Sequence, residues 1–320
     1  MLDNAIVVAN GKGGVGKTSL VANMAAIAAQ SGWNVLAVDL DVQANLGMDL
    51  GYGIHKQGDQ GRSLATALVA RLRAAVPYPE VEPLRSVRPN LDVITAGRHT
   101  AVAAEAAGAA VAYRSNSIDA LRQVLEVIAH RYDLILIDTP PSGTSVLAKH
   151  GLVASTGLVI PIRADAASLD GVELLSEHVG EIRRNGLNPG LELTGIVMFD
   201  FATNESAIKA ETEHELIRLF GSEAPIIRPP IRRSTRAAVD MRRDGQTALD
   251  YEAAQKEEQD ERLSSLRSRN PIRGRQRAKA APKLADDYMA VTRQILANFG
   301  AQPEEDTSLQ PDPWVEGISA

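Results

Sequence analysis

Residues 11–18 read Gly11-Lys12-Gly13-Gly14-Val15-Gly16-Lys17-Thr18. They satisfy G-x-x-x-x-G-K-[ST] and stand between an apolar run at 5–9 and a helical pattern over 18–30. A strand before and a helix after are the context this motif needs. The glycines let the backbone turn tightly and aim amide N–H groups at phosphate oxygens. The helix N-terminus adds its positive dipole. In such a loop Lys17 reaches the β- and γ-phosphates, the Thr18 hydroxyl binds Mg²⁺, and Ser19 follows beside the phosphates. Lys12 is a second lysine that the ordinary loop does not require. Its bland reading is a solvated loop lysine. Its functional reading is a charge that reaches the phosphates held by a second subunit, as an arginine finger does.

Working outward, short β-branched runs alternate with helical patterns. Strands are expected at 5–9, 34–38, 91–95, 133–137, 157–161 and 192–198, with an edge strand at 225–227. Helices are expected over 18–30, 118–130 and 284–299. The alternation predicts an α/β fold with a doubly wound, mostly parallel sheet flanked by helices. In such a sheet ligands bind at the carboxyl ends of strands. Asp39 and Asp41 follow one strand, and Asp138 follows another, so both converge on the edge that carries the loop. Asp138 is the natural carboxylate for Mg²⁺. Asp41 is the candidate for orienting an attacking water and a second candidate for the metal. Asp39 reads as a structural group that braces the loop.

The chain has 320 residues, 44% hydrophobic and 23% charged, enough for one large core. Aromatics are only 4%, so that core is built from aliphatic residues. With no cysteine, disulfides, thiolate zinc sites, iron–sulfur clusters and cysteine nucleophiles are excluded together. The start lacks the pattern of a signal peptide, and no run is long enough for a membrane helix, so a cytoplasmic protein is expected. The net charge of −6 conceals an asymmetry. Residues 228–283 carry 15 Lys or Arg against 8 Asp or Glu, a net +7, which leaves −13 elsewhere. The expected organisation is one phosphate-loop domain over 1–300, a basic helical insertion at about 253–281, and an acidic, disordered tail over 301–320.

The segment Lys12-Gly-Gly-Val-Gly-Lys-Thr18 resembles the deviant Walker A motif of the ParA/MinD ATPases. Asp39-Leu-Asp-Val-Gln-Ala-Asn45 is similar to their A′ motif, and Ile137-Asp-Thr-Pro-Pro141 to their Walker B segment. Val159-Ile-Pro-Ile162 followed by Leu169-Asp-Gly171 looks more like ParA than MinD. The resemblance covers roughly residues 4–252 and returns at Tyr288. It departs at Ser19 and Val42, which replace the common Thr and Pro. It departs most at the insertion, and it lacks an N-terminal helix-turn-helix extension. The resemblance implies an ATP-dependent homodimer with Lys12 acting across the interface and catalysis by Lys12, Lys17 and Asp41. It implies non-specific binding of double-stranded DNA in the ATP state, a ParB-type centromere-binding partner that stimulates slow hydrolysis, and movement of plasmid or chromosome over the nucleoid. By position, Met198, Asp200 and Pro229 would border the adenine.

Another cargo would use the same chemistry. A MinD-like membrane cycle would want a basic amphipathic C-terminal helix, whereas residues 311–316 are acidic and broken by prolines. The basic residues Arg228, Arg232, Arg233, Arg236, Arg242 and Arg243, with Arg267, Arg269, Arg273 and Arg275, are expected to form a DNA-facing strip completed by pairing of two subunits. The competing reading makes 253–279 a helical hairpin for a protein partner.

Overall fold

The run Leu134–Asp138 is buried at all five positions, as a central parallel strand covered on both faces must be. The computed structural model describes residues 1–73, 78–113, 115–141, 145–202, 205–268 and 282–300. Among these, eight strands form one sheet: β1 (Leu2–Val8), β2 (Val35–Asp39), β3 (Leu84–Arg88), β4 (Leu91–Ile94), β5 (Leu134–Asp138), β6 (Ser155–Ile162), β7 (Glu192–Phe201) and β8 (Ile226–Arg232). Their order is β3-β4-β2-β5-β1-β6-β7-β8, and every pairing except β3 with β4 is parallel. The expected doubly wound fold is therefore present.

The helices are α1 (Lys17–Gln30), α2 (Asn45–Leu50), α3 (Arg62–Leu72), α4 (Arg98–Tyr113), α5 (Ala120–Ala129), α6 (Val146–Ala154), α7 (Ala166–Arg184), α8 (Ser206–Phe220), α9 (Thr235–Asp244), α10 (Ala248–Ser268) and α11 (Pro282–Phe299). Two apolar clusters lie on opposite faces of the sheet. One joins α1, α2 and α11 to Ile6, Val8, Ala37 and Leu136. The other joins α3, α4, α5 and α6 to Val7, Leu36, Val38 and Ile137. Successive residues of each strand feed opposite clusters, the period-two rule of a pleated strand. Small buried residues on α1, including Ala22, Ala25, Ala28 and Ala29, let that helix lie close against the sheet.

Strand β3 is the element the sequence pattern misses. Only Leu84 and Val87 of its five residues are apolar, Ser86 has φ 51°, and the register shifts along the pair, so no alternation announces it. The expected edge strand at 225–227 is real and extends to Arg232. Helix α10, Ala248–Ser268, covers the first part of the segment 253–281. Residues 269–281 and the tail 301–320 lie outside the described residues.

His150 of α6 is fully buried, and neither ring nitrogen makes a hydrogen bond. Burial pushes its pKa down to about 4 against the opposing pull of the Asp119 charge. Below the unfolded-state value the unfolded chain takes up a proton that the folded chain refuses. Stability attributable to His150 is therefore lost as pH falls from about 6.5 towards 4. Between pH 7 and 4.5 the loss relative to a His150→Leu variant should be about 2 kcal/mol. Denaturant titrations of both proteins at the two pH values measure it; parallel pH dependences would refute it.

Candidate nucleotide-binding site

Strand β1 lies at the centre of the sheet, between β5 and β6, and its carboxyl end runs into the glycine-rich loop. Asn10 fixes the loop's base. Its side-chain N–H donates to the Pro161 carbonyl at 2.8 Å, and its Oδ1 accepts from the Lys12 amide at 2.9 Å. The loop closes onto α1 at Gly16, which has φ 97°. A Cβ there would stand 2.7 Å from the Phe199 ring, so both the backbone conformation and the close approach require glycine. Lys17 is buried, and its ammonium donates to the carbonyls of Asn10 at 3.2 Å and Lys12 at 2.8 Å. Burial lowers its pKa, while the charges of Asp138 and Asp41 oppose the shift.

The register of the sheet sets the acids. Asp138 pairs across to Asp39 on β2 and to Val8 on β1. Burial pushes Asp138 up to about 7, held back by the Thr18 hydroxyl and by Lys17. Burial, then the Asp138 charge, pushes Asp39 well above the carboxylate range. Asp39 accepts the Asp41 amide at 2.9 Å, a bracing contact, and Asp41 accepts the Gln43 amide at 3.0 Å. Both Asp138 oxygens are buried and complete no hydrogen bond. Orphaned carboxylate oxygens beside a hydroxyl suit a cation. Among the described residues no group of three His, Cys, Asp or Glu makes a metal cage. That fits Mg²⁺, which needs only one or two carboxylates when phosphates supply further oxygens. The residues present therefore fit Mg²⁺ at Thr18 and Asp138, with Asp41 nearby.

Two residues after β6 add what the motifs do not announce. Lys12 Nζ is ion-paired with Asp165, which also caps α7 by accepting the Ser168 amide at 2.8 Å. Burial pushes Asp165 up, but the bonds from Lys12 and Ser168 outweigh it and leave it below the usual range. Arg163 donates to the Gly14 carbonyl at 3.2 Å and is ion-paired with Asp200. The only sequence signal for either is its place at a strand's carboxyl end.

Beside the loop lies a cavity of about 190 Å³, lined among others by Ser19, Asp49, Phe199, Asp200, Ile231 and Tyr288. Phe199 and Tyr288 meet edge-to-face with ring centroids 6.4 Å apart. Asp200 lies on the lining. Met198 does not, because the inward pleat buries it completely in the core. Pro229 is exposed and stands off the lining, which is reached instead by Ile231, Arg232, Ser234 and Thr235.

The arginines of 228–243 are distributed differently from a free strip. Arg232 is half-buried and engaged within the fold. Its guanidinium grips the buried Asp287 of α11 through two bonds of 2.6 Å, bracing β8 to that helix. Arg242 turns to Asn45 and Asp49 of α2. The exposed Arg228 pairs with Glu213, Arg233 with Glu205, and Arg236 and Arg243 both with Asp240. Arg267 lies on α10, and Arg269, Arg273 and Arg275 fall outside the described residues.

A family model described as an AAA domain matches residues 3–193. The chain is 34% identical over 220 residues to the chromosome-partitioning ATPase Soj of Thermus thermophilus, covering 68% of this chain and 77% of that one. The chain belongs to the ParA/Soj family of P-loop ATPases. The Myxococcus xanthus chromosome partitioning protein ParA is 32% identical over 201 residues, 62% of this ATPase and 66% of the relative. An ATP complex of Cyanothece McdA shares the fold, with a TM-score of 0.67 and 19% identity over 93% of this ATPase and 97% of McdA. Cobyrinic acid a,c-diamide synthase from Mycobacterium smegmatis, with ADP and magnesium bound, gives 0.59 at 25% identity over 83% and 96%. Among the described residues of this family member no helix is long and apolar enough to cross a membrane.

Proposed function

We propose that this ParA/Soj-family chain is an ATP-dependent dimerising switch. It binds double-stranded DNA non-specifically in the ATP state and hydrolyses ATP slowly. A ParB-type partner stimulates it during segregation of plasmid or chromosome. The observation that carries the reading is the pair of lysines in one loop. Lys17 is buried under the loop carbonyls, whereas the Lys12 side chain is 30% exposed and ion-paired with the exposed Asp165. A lysine so placed is free to exchange its own chain's carboxylate for the phosphates of a second subunit.

Lys17 and the amides of residues 13–18 would hold the triphosphate, and the cavity beside Ser19 and Phe199 would take the nucleoside. Mg²⁺, held by Thr18 and Asp138 with Asp41, would supply charge neutralisation between the β- and γ-phosphates. Asp41 would orient the attacking water, and Lys12 of each subunit would close the other's site. DNA would lie along Arg228, Arg233, Arg236 and Arg243 together with the basic stretch 262–279. The guanidinium of each of these arginines is exposed, so a phosphate can reach it.

The test is DNA binding with ATP, ADP or no nucleotide across a salt series. Binding should require ATP, and log K should fall with log salt at about −0.9 per phosphate contacted. Equal binding in all nucleotide states, a flat salt response, or unchanged binding after deletion of 262–279 would overturn the DNA assignment.

A further inference from the structure

We infer that Arg242 is a positioning residue: from α9 it holds α2, and through α2 it fixes the loop that carries Asp41 against the phosphate loop. The inference rests on the ATPase reading and concerns the same site.

Helix α2 begins immediately after that loop. Its entry is tied to the acidic cluster, because the Ala44 amide donates to the Asp41 carbonyl at 2.8 Å and the Asp41 amide donates to the Asp39 carboxylate at 2.9 Å. The helix has only six residues, far too short to hold its own shape in water, so its placement depends on what it touches. One side touches the first turn of α1, just after the loop: the Ser19 hydroxyl donates to Asp49 at 2.9 Å. The other side touches α9. Arg242 donates to the Asn45 side-chain oxygen and lies 3.7 Å from the Asp49 carboxylate. One guanidinium thus spans the first and the fifth residue of α2, and its planar fork suits two acceptors at once. Lysine has donors for two acceptors but lacks the rigid planar fork that sets them at this spacing.

The two helices also meet at their ends. Gly51, which terminates α2, and Gly245, which terminates α9, lie backbone to backbone, with φ of 90° and 63°. A Cβ on Gly245 would come 2.4 Å from the Gly51 Cα, and one on Gly51 would come 2.9 Å from the Gly245 carbonyl oxygen. Neither position accepts a side chain without separating α2 from α9. Arg88 of β3 reaches the same Gly245 carbonyl at 3.5 Å and pairs with Asp250, so the seat for α9 is anchored to the sheet edge. Arg242 therefore belongs to the carriage of Asp41 and not to the DNA-facing strip, and α9 becomes the element through which events on the basic surface bear on hydrolysis.

The experiment compares Arg242→Ala and Gly245→Ala with the wild-type protein in the absence of DNA. Steady-state turnover and amide hydrogen exchange over residues 44–50 are both measured. Both variants should lower kcat at least about fivefold; because Arg242 also lines the cavity beside the loop, the KM for ATP is expected within about threefold of wild type for Gly245→Ala. Both should speed exchange over 44–50, and Arg242→Lys should fall between Arg242→Ala and wild type. Gly245→Ala carries no charge change, so its agreement with Arg242→Ala separates positioning from electrostatics. Wild-type kcat in Arg242→Ala, with only DNA affinity reduced, would overturn the inference and restore Arg242 to the DNA strip. A loss in KM alone would also overturn it. Should the wild-type protein hydrolyse no ATP, the ATPase reading fails, and unchanged exchange over 44–50 in both variants then overturns the coupling itself.

Discussion

Lys12→Ala should leave ATP binding by the monomer within about threefold of wild type and lower ATP-dependent dimerisation at least about a hundredfold. The two lysines of the loop stand in opposite circumstances. Lys17 is enclosed, bonded to two loop carbonyls, and faces the acids of its own chain. The Lys12 side chain is partly exposed, and its ammonium is ion-paired with Asp165 at the start of α7. Removing it takes no donor away from the phosphates bound by the same chain. It would take one away from the phosphates of the other chain, twice per dimer. A charged contact desolvated at an interface is worth about 2–5 kcal/mol on truncation, and the interface closes over both copies. Sedimentation with ATP in an Asp41→Ala background, where the nucleotide is not consumed, measures the effect. A Lys12→Ala protein that dimerises normally would refute the role across the interface.

Asp41→Ala should retain ATP binding and dimer formation and lose about 10²- to 10⁴-fold in turnover. Asp41 is buried at the end of β2, with its carboxylate fixed by the Gln43 amide and its own amide fixed by Asp39. The group is thus held in one place by the backbone on both sides, as positioning a water requires. Asp39 cannot substitute, because its carboxyl is enclosed and faces Asp138 in the sheet register. Single-turnover measurements separate chemistry from product release. Unchanged turnover would remove Asp41 from the mechanism.

The sequence carries the central architecture because the elements that decide it are local. The strand, loop and helix of 2–30 are contiguous, and the central strands β2 and β5 announce themselves as apolar runs ended by an aspartate. What it hides is long-range. Asp165 lies 153 residues from Lys12, and Asp200 lies 37 residues from Arg163. The arginines of 228–243 show the same limit most clearly. A charge count along the chain sees six arginines and one aspartate. In the fold the missing acids arrive from other elements: Glu213 from α8, Asp287 from α11, Asp49 from α2 and Glu205 from before α8. Local net charge thus overstates how many cationic forks remain on offer. Which residues of β7 face the cavity is hidden for a simpler reason. Alternate residues of a strand face opposite ways, so naming β7 does not say whether Met198 or Phe199 looks into the cavity.

The place of β1 in the sheet bears on how the chain is made. Its partners are β5 and β6, with Ala5 opposite Ile135 and Ile6 opposite Gly157. A ribosome adding about 5–20 residues per second leaves β1 without either neighbour for on the order of ten seconds. For that time the first 30 residues expose an apolar strand and an alanine-rich helix together, the interval in which a nascent-chain chaperone has the most to cover. Fragments that stop before residue 134 would carry the whole glycine-rich loop and yet lack the strands that hold it open.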